Sequence, residues 1–179
     1  MNLRHLCSAP NVHVYFDSWN NWLYLEWEGE LTLPKVQHAC LAIAHCFVAH
    51  AYPRVFINTT YITRVEWDVA PWLARHFFPY LGLAGVQQLA WVYGPSVRGH
   101  ELAEHVLRYL GQQVNVALFG DTEDAVSWLQ QVRPSYVSGC TLLPRPAQHD
   151  LKLVRLVRSF EQELAATRAE AEAVPTAGG

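Results

Sequence analysis

The sequence predicts an α/β domain: a mixed, mostly parallel five-stranded sheet in the order β-β-α-β-α-β-α-β-α, with helices on both faces and a C-terminal helical extension. Three observations carry this. Two segments near the start alternate apolar and polar residues with the period of half-buried strands. Three later apolar runs, at 55–57, 89–93 and 114–119, are each followed by helical spacing, the succession that builds parallel sheets. With 179 residues, 51% of them hydrophobic and 16% charged, the chain is also long enough for one sizeable core.

Residues 1–10 read as an N-terminal arm and 11–132 as the domain. In the first strand Val12, Val14 and Phe16 share one face and His13, Tyr15 and Asp17 the other. Turn residues Ser18-Trp19-Asn20-Asn21 lead into a second strand, where Leu23, Leu25 and Trp27 alternate with Tyr24, Glu26 and Glu28, so the two form an antiparallel hairpin. Thr32-Leu33-Pro34 opens a helix to about His50, with Thr32 as cap and Pro34 in the first turn. From Val36 to Ala49 this helix holds no charged residue, so it is buried on more than one side. Val36, Cys40, Ile43 and Phe47 face the sheet, and His38, Leu41, His45 and Val48 need another cover, from a second copy or from the C-terminal tail.

The strand Arg54–Ile57 runs into a hydroxyl-rich loop. A helix from about Asp68 follows, ending or kinking near Pro79 before the turn glycines Gly82 and Gly85. Leu89-Ala90-Trp91-Val92-Tyr93 does not alternate, as in a parallel strand buried on both faces. Ser96 caps a helix with the apolar stripe Leu102, Ala103, Val106, Leu107 and Leu110, ending at Gly111. Val114–Phe119 is the last strand, and Asp121 caps a helix carrying Ala125, Trp128 and Leu129.

Residues 133–149, with Pro134, Gly139, Pro144 and Pro146, form a linker or wrapping arm; 150–174 is a long helix and 175–179 a disordered tail. On the helix Leu153, Val157, Phe160, Leu164, Thr167 and Ala171 recur at spacings of three and four, a short coiled-coil seam. Its basic half (Lys152, Arg155, Arg158) precedes its acidic half (Glu161, Glu163, Glu170, Glu172, with Arg168 the one exception), against the helix macrodipole. An antiparallel homodimer would pair each basic half with an acidic one. The competing account is that this helix packs back on its own domain.

A net charge of −3 gives no basic field for nucleic acid. No apolar run reaches the roughly 20 residues of a membrane span, the first residues do not read as a signal peptide, and the expectation is a cytoplasmic protein. Cys7, Cys40, Cys46 and Cys140 form no CxxC and read as reduced thiols. The abundant aromatics read mostly as core.

No metal or cofactor is expected. His100-Glu101-Leu102-Ala103-Glu104-His105 fails the HExxH spacing, since residues 100 and 105 lie about 140° apart on a helix. His100 with Glu104, and Glu101 with His105, are i,i+4 pairs of a solvated face. His38 and His45 are separated by about 10 Å of helix rise, too far for one ion. No P-loop, GxGxxG or GxSxG occurs, and Thr60, Thr63, Ser96 and Cys46 have no base placed beside them by a recognisable motif, so no catalytic residue is assigned. The expected binding groove is Asn58, Thr59, Thr60 and Thr63, with Arg64 and Asp68 at its rim and Tyr93, Ser96 and Arg98 from the neighbouring strand end. Strand ends facing helix starts suit a small anion or a peptide carboxylate.

Two local patterns carry a resemblance. Phe78-Pro79, Gly85 and Leu89-Ala90-Trp91-Val92-Tyr93 form one; Phe119-Gly120-Asp121-Thr122-Glu123-Asp124-Ala125-Val126-Ser127-Trp128-Leu129 form the other. With the element order, residues 11 to 131 resemble the bacterial STAS-like domains, in the SpoIIAA-like branch grouped with CRAL-TRIO lipid-binding folds. In the anti-sigma antagonists of that kind a serine after the central strand is phosphorylated. Here Glu66-Trp67-Asp68-Val69 overlies that motif without a hydroxyl acceptor, and Asp68 reads as an N-cap carboxylate. The resemblance implies a non-enzymatic regulatory or protein-interaction domain, or alternatively a module for a small apolar ligand held between helix and sheet.

Overall fold

In the computed structural model, which describes residues 1–94, 97–109, 114–131 and 147–173, six strands form one sheet in sequence order. They are β1 (Leu3–Ala9), β2 (Val12–Asp17), β3 (Trp22–Leu31), β4 (Arg54–Val65), β5 (Gln88–Tyr93) and β6 (Asn115–Phe119). β1, β2 and β3 pair antiparallel, and β3 to β6 are parallel. The mixed, mostly parallel sheet is the expected one with a sixth strand added. That strand, Leu3–Ala9, falls in the segment read as an arm, and a bulge between His5 and Cys7 interrupts its alternation. The bulge leaves the successive residues Leu6 and Cys7 both packed against the core.

The strand–helix crossovers are α1 (Leu33–Ala49), a helical stretch over residues 69–83, and α4 (Val97–Tyr109). Parallel strands added in one direction by crossovers of one hand place these helices on one face. Their apolar residues accordingly share one core with Val12, Val14, Leu23, Leu25, Val55, Leu89 and Trp91. Val36, Cys40, Ile43 and Phe47 of α1 are fully buried in it, as predicted. On the opposite face α5 (Thr122–Gln131) packs Ala125 and Leu129 on Trp22, Tyr24, Phe56, Ala90 and Val92. β5 is therefore buried on both faces. The predicted cap holds: the Asp124 amide donates to Asp121 Oδ1 at 2.9 Å.

The stretch 69–83 consists of α2 (Val69–Trp72), a π-helical turn (Leu73–Phe77) and α3 (Phe78–Leu83). The expected kink near Pro79 is this wide turn, closed by the Phe78 amide on Leu73 O; Pro79 sits in the first turn of α3, where its missing N–H is tolerated.

The last helix, α6 (Ala147–Ala173), lies against α1 and α3. Leu153, Val157 and Phe160 are buried in the main core, with the Phe160 ring 5.8 Å from Tyr80 and 6.1 Å from Trp72. His45 Nε2 lies 3.4 Å from Glu161 Oε1. This half of the predicted seam covers its own domain, so these residues are not free to pair with a second copy. The uncharged outer flank of α1 supplies the nearer apolar surface. The side chains of Thr167 and Ala171, Cys140, most of the predicted linker and the predicted tail lie outside the described residues. Among the described residues no helix is long and apolar enough to cross a membrane.

Asp17 closes β2. Its Oδ1 accepts from the amides of Asn2 (3.0 Å), Trp19 (3.1 Å) and Asn20 (3.4 Å), and its Oδ2 from Asn20 Nδ2 (2.7 Å). The turn it anchors is tied to the rest of the sheet through Arg54, which donates to Asn20 O and, at 3.2 Å, to Leu129 O at the end of α5.

Candidate functional site

β4 carries most of the predicted groove, and its pairing with β3 explains where each side chain goes. The register shifts between Glu26 and Glu28 and again between Gly29 and Glu30. Asn58 pairs with Glu26 but Tyr61 with Glu28, an extra residue on β4, and Ile62 just after Tyr61 turns into the main core.

Asn58 and Thr59 are buried. Asn58 Nδ2 donates to the Tyr24 hydroxyl at 3.0 Å, and Asn58 Oδ1 accepts from the Thr60 amide (3.1 Å) and hydroxyl (2.7 Å). The Tyr24 hydroxyl in turn donates to Glu26 at 3.3 Å, and burial together with the nearby Glu26 pushes its pKa up to about 12 despite the bond from Asn58. Thr59 points into the other layer, donating to Val92 O at 2.9 Å and accepting from Trp91 Nε1 at 3.0 Å. These polar side chains satisfy one another and pin β4 to β3 and β5. Between the two strand ends the backbones close up: a Cβ on Gly94 would lie 3.0 Å from Thr60 O. Glycine permits that approach, and no groove separates Thr60 from the end of β5.

The outer residues remain in solvent. Thr63 and Arg64 are exposed, and Arg64 forms a 3.0 Å surface ion pair with Glu30, of small energetic worth. Tyr93 is half-buried with its ring 4.8 Å from His100. Ser96 and the side chain of Arg98 lie outside the described residues. His100 and Glu104 pair at 3.1 Å, as their spacing predicts.

At the α2 start, Asp68 caps no amide, contrary to its N-cap reading, and its Oδ1 is buried without a hydrogen-bond partner. The capping carboxylate is its neighbour: Glu66 Oε2 accepts from the Leu33 amide at 3.2 Å, at the N-terminus of α1. Thr32 makes no side-chain cap there, so a residue from the end of β4 does the work expected of it. Glu66→Ala should lower stability by about 1 kcal/mol in chemical denaturation, and Glu66→Gln, which retains an acceptor, by less.

Between these two carboxylates Trp67 is 88% exposed, and Tyr61 on the same strand end is 60% exposed. Trp67 and Arg64 line one open hollow with Val65, Glu66 and Asp68, and Tyr61 is exposed three residues before Arg64 on the strand. Reading the aromatics mainly as core misses both. The signal for Trp67 was its place between two acidic residues where the strand pattern stops, and for Tyr61 there was none, because the bulge alters the alternation. The space between helices and sheet at this end is filled: a cavity of about 20 Å³ remains among Trp27, Ile57, Phe77, Phe78 and Trp91, with Phe78 and Trp91 stacked at 5.6 Å. That is the room of about one water.

A second polar chain lies on the β1–β2 hairpin. Ser8 Oγ is 2.8 Å from both His5 Nε2 and His13 Nδ1, and His13 Nε2 is 3.3 Å from Glu28 Oε1. It has the order of a Ser–His–acid relay, but His5, Ser8 and Glu28 are exposed and His13 only half-buried, without the water-poor enclosure that acyl transfer uses. Among the described residues no group of three His, Cys, Asp or Glu converges as a metal site.

No protein-family model matches the chain, and no curated protein does. It is similar to solved structures at low identity. One is an uncharacterized DUF3478-family protein with a SpoIIAA-like fold from Shewanella loihica PV-4, at 16% identity and TM-score 0.41, covering 71% of this chain and 91% of that one. Another is an anti-sigma factor antagonist from Mycobacterium paratuberculosis, at 14% and TM-score 0.46, covering 70% and 100%. A third is apo-SiaC from Pseudomonas aeruginosa, at 14% and TM-score 0.41, covering 66% and 98%. These are likenesses of fold alone.

Proposed function

We propose that this chain is a non-enzymatic regulatory domain that binds a protein partner on the surface formed by Tyr61, Arg64 and Trp67. The observation that carries the reading is the exposure of Trp67, at 88%, in one open hollow with Arg64 and six residues after the exposed Tyr61. Tyrosine, tryptophan and arginine are the side chains that anchor protein interfaces. Thr63 and Asp68 belong to its rim, whereas Asn58, Thr59 and Thr60 support it from within. With Glu66 capping a helix and no hydroxyl at the adjacent positions 67 and 68, binding here is not switched by phosphorylation at those positions.

The alternative, a small apolar ligand between helix and sheet, has less support at the predicted groove, since the cavity among Trp27, Ile57, Phe77 and Trp91 is about 20 Å³ against the roughly 300 Å³ or more of small-molecule sites. Homodimerisation enters this reading only through a surface other than the buried stripe of α6, and light scattering at micromolar concentration tests it: a monomer removes it. We place the protein in the cytoplasm, in keeping with free thiols at Cys7, Cys40 and Cys46.

The test is a photo-crosslinking residue substituted at position 67 in the native cell, against the same residue at exposed Lys152. Discrete protein adducts at 67, lost with Tyr61→Ala, are expected. Tyr61→Ala and Arg64→Ala should each change stability by no more than about 0.5 kcal/mol. Equal adduct patterns at 67 and 152 refute the surface, and a stoichiometric apolar ligand in native mass spectrometry revives the alternative.

A further inference from the structure

We infer that Cys7 and Cys46 are an oxidisable pair that forms a disulfide between the edge strand β1 and helix α1. Their Sγ atoms lie 3.6 Å apart although the residues are 39 positions apart in the sequence. A disulfide needs about 2.05 Å, so a shift of roughly 1.5 Å closes the bond. β1 is placed to make that shift, because it is the outermost strand and its register is already broken between His5 and Cys7. The same bulge brings Cys7 round to α1. Cys40, on the same helix, is fully buried, so of the thiols on α1 it is Cys46 that a small oxidant can reach.

Both thiols open on a hollow of about 470 Å³, lined also by Leu6, Ala42, His45, Ala49, His50 and Tyr52. That volume falls within the range of small-molecule sites, and it gives a low-molecular-weight disulfide access to either sulfur. Burial, and Cys7 beside it, push the Cys46 thiol up to about 12. Cys46 is thereby held protonated at neutral pH, and the first attack falls to Cys7. The thiolate of Cys7 attacks one sulfur of the disulfide RS–SR, forming Cys7–S–SR and releasing RS⁻. Cys46 then gives up its proton to water and attacks the Cys7 sulfur, expelling the second RS⁻. Two protein thiols are oxidised, the small disulfide is reduced to two thiols, and the exchange reverses when the small thiol is in excess. The product closes a loop running from β1 through β2 and β3 to α1 and fixes the sheet edge to the helix layer. This inference is independent of where a partner docks.

The purified full chain is equilibrated over graded ratios of oxidised to reduced glutathione, trapped by alkylation, and mapped by peptide mass spectrometry. The expected result is loss of two hydrogens, a Cys7–Cys46 linked peptide, and a melting temperature raised by roughly 5–10 °C that reverts on reduction. Cys46→Ser should instead accumulate a glutathione adduct on Cys7. A cross-link mapping to another cysteine, a stable glutathione adduct on wild-type Cys7, or a full complement of alkylated thiols at the most oxidising ratio overturns the inference. The wild-type measurement stands alone, so a variant that misfolds does not block the test.

Discussion

Phe160→Ala should lower the stability of the domain by about 3–4 kcal/mol, the largest loss expected from a single change in α6. The ring is buried between Trp72, Tyr80 and the outer flank of α1, and truncation leaves a cavity that two helices and the π-helical turn cannot close without repacking. Urea denaturation measures it. A loss below about 1 kcal/mol would mean that α6 is not docked on the domain in solution. A chain ending at Arg133 should behave worse than Phe160→Ala, because it uncovers the whole flank that Leu153, Val157 and Phe160 protect. Light scattering should show aggregation of that shortened chain rather than a clean, smaller species.

Asp17→Ala should cost roughly 3 kcal/mol near neutral pH, from one carboxylate that accepts from three backbone amides and one side-chain amide. The effect should depend on pH with a defined sign. Burial alone would raise the Asp17 pKa. The bond from the Asn20 side chain and those from the amides of Asn2, Trp19 and Asn20 together outweigh burial and hold it below the ordinary carboxylate value. A pKa lower in the folded than in the unfolded chain means that the stabilisation is complete above about pH 4 and is lost as pH falls through the folded value. The gap in unfolding free energy between wild type and Asp17→Ala should therefore be constant from about pH 5 to 7 and narrow below about pH 4. A gap that widens toward acid would show that the carboxyl is protonated in the native state.

Much of this architecture is legible in the chain because burial writes it directly. The alternation of Val12, Val14 and Phe16, the unbroken run at 89–93 and the uncharged stretch from Val36 to Ala49 each name the faces they bury. Features made by distant partners are not legible in the same way. Thr32 and Asp68 have the chemistry of N-caps, yet Glu66 reaches α1 from another element, a choice that local sequence does not encode. β1 is hidden by its bulge, and ordinary strand alternation sends Asn58 and Thr59 to opposite faces of β4, out of the single groove that their proximity in sequence suggests. The first half of the seam on α6, Leu153, Val157 and Phe160, is buried as its spacing suggests, but spacing does not say whether its cover is a second copy or α1.

The sheet also sets an order of events at the ribosome. Every strand pairs with its neighbours in sequence, so each one meets an already finished edge as it leaves the tunnel, and the sheet can be laid down as fast as it is made. The exception is α6. The surface it covers is complete once α3 has emerged, whereas Phe160 follows after β5, α4, β6 and α5, a delay of roughly 4–15 s at about 5–20 residues per second. Throughout that interval the nascent chain carries an ordered sheet with one uncovered apolar flank, and a chaperone acting on this protein during synthesis has that window and that surface to work with.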